Sequence, residues 1–144
     1  VWKIPAGKMK ARRPHAVPLS KQVVGYLTEL ATMLGTDGYV FPSARSGKRP
    51  MSENTLNAAF RRMGYSKEEL TAHGLRATAS TFLNESGLWN PDAIERALAH
   101  GDSNVVQLIC QSDERWKNHV CMMQWWSNYL DRLREGYQAE LPMP

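Results

Sequence analysis

Apolar residues recur at three- and four-residue steps through Val23, Leu27, Leu30, Ala31 and Leu34, the period that lines one face of a helix. Ser20 can cap that segment and Gly35 follows it, so a first helix is predicted there. A second begins at Ser52, with Leu56, Ala59, Phe60 and Met63 on one stripe and Gly64 just past its last turn. Arg61 and Arg62 sit at its C-terminal end, where cations complement the helix dipole. A third runs from about Thr71 to Ser86, with Leu75, Ala79, Phe82 and Leu83 as its apolar stripe and His73, Arg76 and Ser80 on a neighbouring polar one. Asn90-Pro91 is a cap followed by proline at the first helical position, which opens a short helix to about Ala99. Residues 105 to 110 and then 117 to 134 read as helical, the latter carrying Met122, Trp125, Trp126, Tyr129, Leu130 and Leu133 at helical spacing, before a C-terminal tail.

Extended segments are few. Trp2 to Ile4 and His15 to Val17 read as the two strands of a hairpin, joined by a mobile basic connector from Pro5 to Pro14. Tyr39-Val40-Phe41 reads as a short strand that enters a positively charged surface loop at 43 to 50. There is no internal repeat and no low-complexity tract. The fold class expected is α+β, mainly α-helical, with a small antiparallel β-sheet at the basic N-terminal edge.

A chain of 144 residues with 42% hydrophobic composition suits one domain with a single core. The formal net charge of +4 understates how the charge is placed. Lys3, Lys8, Lys10, Arg12, Arg13 and Lys21 precede the first acidic residue, Glu29. Such a basic arm favours phosphate backbones, because each Lys or Arg that meets a phosphate releases condensed counterions. A membrane partner would need a long apolar run or a strongly amphipathic basic helix near the arm, and neither is there. No signal-peptide pattern is seen, and Cys110 and Cys121 form no disulfide framework. A cytoplasmic protein is therefore expected. The abrupt start at Val1-Trp2-Lys3-Ile4 reads as a fragment of something longer.

His73-Gly74-Leu75-Arg76 places an imidazole and a guanidinium one turn apart on a helix. A guanidinium offers a planar fork to two phosphate oxygens, and an imidazole can donate a hydrogen bond or move a proton near neutral pH. Alone, this pair is weak evidence and is more often a solvated helix face. A metal site from His100, Cys110, His119 and Cys121 lacks a paired-ligand spacing, so no metal is expected. The Trp125-Trp126 stripe can dock a partner, although aromatic residues at helical spacing more often form core.

Order and company change the weight of these residues. A lysine in a basic hairpin is followed by the His73-x-x-Arg76 helix, then Leu98-Ala99-His100, then the aromatic Met122-Met123-Gln124-Trp125-Trp126 block. With Trp2-Lys3-Ile4-Pro5-Ala6, Arg12-Arg13-Pro14-His15, Val17-Pro18-Leu19-Ser20, Met51 to Asn57 and Asn90 to Glu95, the chain resembles the C-terminal catalytic domain of tyrosine recombinases, in particular P4-like phage integrases. The resemblance spans nearly the whole of residues 1–144. It implies site-specific DNA recombination by a metal-free, cofactor-free transesterification, in which a tyrosine attacks a DNA phosphate and a 5′ hydroxyl leaves.

By that resemblance Lys10, seven residues before Val17, is the general acid, while His73, Arg76 and His100 engage the non-bridging phosphate oxygens. Lys8, Lys10, Arg12, Arg13 and Arg76 are the DNA-binding residues expected. The partners implied are double-stranded DNA at attachment sites, other integrase subunits in a tetramer, a DNA-bending host factor and an excisionase.

Two departures from the family pattern stand out. The nucleophilic tyrosine is expected ten residues after His100 and twelve before Met122, and both counts land on Cys110. A thiol there is softer and shorter than a phenol, so cleavage is expected to be absent or very weak. The alternative reading is then a catalytically inactive domain that binds DNA or other integrase subunits. The family's first catalytic arginine also lies upstream of the hairpin, before Val1.

Overall fold

The computed structural model describes residues 1–9, 12, 14–98 and 113–137. The fold is α+β and mainly helical: β1 (Trp2–Ile4), a 3-10 turn (Ala6–Lys8), β2 (His15–Val17), α1 (Lys21–Leu34), β3 (Pro42–Ser43), β4 (Ser46–Pro50), α2 (Thr55–Arg62), α3 (Ala72–Glu85), α4 (Pro91–Ala97) and α5 (Asp113–Arg134). The predicted helix at 105 to 110 and the tail beyond Tyr137 lie outside the described residues. No helix among the described residues is long and apolar enough to cross a membrane.

The chain divides into two compact units, Val1–Gln22 with Ser80–Pro144, and Val23–Ala79. In the first, β1 and β2 pair antiparallel in the register Trp2 to Val17, Lys3 to Ala16 and Ile4 to His15, as the hairpin pattern predicts. The connector starts with order of its own: Lys8 N–H donates to Pro5 O at 2.9 Å and Met9 N–H to Ala6 O at 3.1 Å.

The core of this unit is built where α4 meets α5. Ile94 and Met122 have no exposed surface, Leu83 is buried beside them, and Trp89, Ala97, Leu98, Met123, Trp125 and Trp126 close around the three. Burying each large apolar side chain stabilises the fold by roughly 1.5–3 kcal/mol. Tyr129 lies parallel to Trp125, with ring centroids 5.4 Å apart and planes 6° from each other, and Phe82 approaches its other neighbours at a tilt. The aromatic stripe of the last helix therefore supplies core, not a free docking face. Polar groups also hold α5 in place: Ser127 Oγ meets Ser20 Oγ at 2.7 Å, and Gln22 Nε2 donates to Asn128 Oδ1 and Asp131 Oδ2, each at 2.9 Å.

Helix ends follow local chemistry. Asn90 Oδ1 accepts from Asp92 N–H at 2.8 Å, and Pro91 supplies the first turn of α4. Gly64 and Gly136, at φ 97° and 87°, end α2 and α5 in left-handed turns. In each, two backbone bonds reach back to the last helical carbonyls, Gly64 N to Arg61 O with Tyr65 N to Phe60 O, and Gly136 N to Leu133 O with Tyr137 N to Arg132 O.

Three expectations are corrected. Tyr39 to Phe41 is not a strand; the strands are β3 and β4, in the segment expected to be loop. They pair antiparallel, with Pro42 opposite Pro50 and Ser43 opposite Ser46. Alternating small and polar residues in 43 to 50 carry no hydrophobic signal, so only the cross-strand pairing reveals them. Helix α2 starts at Thr55 and α5 at Asp113, against the predicted Ser52 and Lys117. The stripe of α1 is also incompletely covered, with Leu34 and Val23 exposed.

Candidate phosphate-binding site

The second unit carries the His-x-x-Arg pair, and its α2 and α3 explain how that pair is held. Helix α3 begins where Thr71 Oγ1 accepts from Gly74 N–H at 2.9 Å, a side-chain cap on the first turn. Asn57 Oδ1, from the middle of α2, accepts from Ala72 N–H at 2.9 Å. A Cβ at position 74 would stand 3.1 Å from Thr71 Oγ1, so glycine suits the space under the cap.

Between the helices, Ser66 and Glu69 form a reciprocal capping pair: Glu69 Oε2 accepts from Ser66 N–H at 2.7 Å and Ser66 Oγ from Glu69 N–H at 3.3 Å. The Ser66 backbone bond first, and its hydroxyl second, hold the Glu69 carboxyl below its ordinary range. The Arg61 guanidinium donates through Nη1 to Tyr65 O and through Nη2 to Leu70 O. One side chain thus spans both ends of the connector that feeds α3.

His73 and Arg76 follow in the first turns of α3, three residues apart. His73 is exposed and Arg76 half-buried. Nε of Arg76 is buried with no hydrogen-bond partner among the described residues. A guanidinium N–H in that state is costly unless something accepts from it. Leu75, expected on the apolar stripe, is exposed instead.

Of the other site residues, Lys8 is exposed at the end of the 3-10 turn. Arg12 is exposed too, at φ 51°, with its N–H donating to Met9 O at 2.9 Å. Lys10, Arg13, His100 and Cys110 lie outside the described residues. Sequence reasoning overlooked Asn57 and Arg61, because their bonds reach backbone groups 15 and 9 residues away, which no local pattern encodes.

His119, on α5, also has a buried nitrogen, Nε2, with no hydrogen-bond partner among the described residues. Burial chiefly, then the charges of His15 and Arg96, push its imidazole down to about 4. Trp116 meets it edge-on, at 5.8 Å between ring centroids. Cys121 is a free, exposed thiol on the same helix. Among the described residues no three His, Cys, Asp or Glu side chains are grouped to hold a metal.

Among the described residues the chain is an α+β domain of five α-helices and two small hairpins, with the His-x-x-Arg pair in the first turns of α3, and comparison with known proteins gives its family. The sequence profile of the phage integrase family matches residues 1–115, and the chain belongs to that family. It is 40% identical over 151 aligned residues to the integrase of Enterobacteria phage P4, across 95% of this chain and 34% of the phage protein. It is 41% identical to the prophage integrase IntA of Escherichia coli K12, across 94% of this chain and 32% of IntA. The prophage integrase IntZ of the same strain is likewise 41% identical, across 92% of this chain and 32% of IntZ. The chain therefore spans about a third of the length of these relatives. No solved structure matches it.

Proposed function

We propose that this chain is the catalytic domain of a site-specific tyrosine recombinase that integrates and excises a phage or genomic island. Its partner is duplex DNA at attachment sites. The supporting observation is Arg76: a half-buried guanidinium whose Nε has no protein acceptor among the described residues, one turn from an exposed imidazole. A phosphate that meets the exposed part of this side chain takes two oxygens on the planar fork of the guanidinium.

In the reaction of this class of recombinase, a tyrosyl oxygen attacks phosphorus, the bond to the 5′ oxygen breaks, and the leaving oxygen takes a proton from the lysine whose place Lys10 holds; with Cys110 at the tyrosine's place, this chain is impaired in that attack. The charge that builds on the non-bridging oxygens is met by His73, Arg76 and His100. The resulting 3′-phosphotyrosyl bond keeps the energy for rejoining, so neither metal nor cofactor is required. Assembly into a tetramer, a DNA-bending host factor, an excisionase and a nucleoid location belong to this reading of the whole protein.

A second reading is favoured by Cys110, which stands at the nucleophile's place by both the count from His100 and the count to Met122. A domain without the phenol binds DNA or other subunits and does not cut. A suicide DNA substrate separates the two readings. An otherwise complete integrase carrying this domain accumulates no covalent protein–DNA adduct, and Cys110→Tyr restores it. An adduct through the thiol refutes the loss of cleavage, and a folded, DNA-binding Cys110→Tyr protein that forms none refutes the register.

A further inference from the structure

We propose that Asn57 and Arg61 of α2 are positioning residues, which fix the first turn of α3 and with it the direction in which His73 and Arg76 meet a phosphate. The inference rests on reading that pair as the phosphate site. A helix start has N–H groups without helical partners, and its axis can tilt unless they are tied down. Here Ala72 N–H is tied to α2 through Asn57 Oδ1 at 2.9 Å, while Thr71 Oγ1 takes Gly74 N–H at 2.9 Å. The residues so held flank His73 on both sides. Arg61 closes the same arrangement from the other end, bonding Tyr65 O and Leu70 O, so the connector between the helices cannot lengthen or swing. Both side chains are half-buried. Neither Asn57 nor Arg61 needs to touch DNA for this role, and a misplacement of about 1 Å at a phosphate site is enough to weaken engagement strongly.

Asn57 is the better probe because it carries no charge. The affinity of the protein for a labelled 30-base-pair duplex is measured across a salt series for the parent, Asn57→Ala, Arg76→Ala and the double variant. Losing one phosphate contact lowers the salt slope by about 0.9. Asn57→Ala is expected to weaken binding roughly three- to tenfold at low salt and to lower the slope toward that of Arg76→Ala, although it removes no charge. The double variant should bind no worse than Arg76→Ala. Urea unfolding of each variant, with a transition as cooperative as the parent's, guards against a variant that fails to fold. A parental slope and affinity in Asn57→Ala beside a clear loss in Arg76→Ala would overturn the positioning role and leave the site standing, as would additive effects in the double variant. If Arg76→Ala changes neither quantity, the phosphate site falls and the positioning role with it.

Discussion

Acid should destabilise this fold through one residue, His119, and the effect can be sized. Its imidazole is pushed from 6.5 down to about 4, by burial first and by His15 and Arg96 next. Because the folded value lies below the unfolded one, the unfolded chain binds the extra proton between those limits. The neutral ring's contribution is fully present above about pH 6.5, falls away as the pH drops, and is gone by about pH 4. A shift from 6.5 to about 4 corresponds to at most about 3–4 kcal/mol at 1.36 kcal/mol per unit. The ring is only part-buried, so solvent screening reduces this to about 1–2 kcal/mol. His119→Phe keeps an aromatic edge against Trp116 and has no proton to gain. Urea unfolding of both proteins from pH 7.5 to pH 4 isolates the term, since the carboxylates common to both cancel in the difference. With a slope of about 2 kcal/mol per molar urea, the parent's midpoint should fall by roughly 0.5–1 M relative to the variant. Parallel profiles across the whole range would refute the buried neutral imidazole.

Ile94→Ala, at a side chain with no exposed surface between α4 and α5, should cost about 2–5 kcal/mol by chemical denaturation. Gly64→Ala places a Cβ in open space but at φ 97°, so it should cost about 1 kcal/mol from backbone strain alone. Arg76→Ala should weaken duplex binding more than Lys67→Ala, whose ammonium is largely exposed in the connector and pairs at 3.7 Å with Glu68; equal effects in a fluorescence titration would count against the site. Binding by the whole chain should weaken steeply with salt, and an affinity that is the same at low and high salt would exclude phosphate contacts as its source.

Periodicity carried the helices well, because an amphipathic helix repeats its apolar residues wherever it packs, and α1, α3 and α4 lie close to the predicted ranges. The terminal hairpin and the His73-x-x-Arg76 pair were legible for the same reason, as local patterns of side-chain type. The β3–β4 hairpin was not, since its strands hold small and polar residues and exist through pairing across a turn. The aromatic block 125 to 129 allowed two readings on spacing alone. Its place in the core follows from Phe82 and Trp89 arriving from sequence positions about 40 residues earlier. The sequence by itself determined the helical periodicity, the basic arm before Glu29 and the family resemblance, which name the candidate phosphate-binding residues and put Cys110 at the position proposed for the nucleophile. Only the tertiary structure decided that Arg76 keeps an N–H without a partner among the described residues, that part-burial pushes the His119 imidazole down to about 4, and that an α2 side chain bonds the start of α3. Those properties depend on burial and on bonds from side chains to backbone groups distant in sequence, which no spacing along the chain encodes.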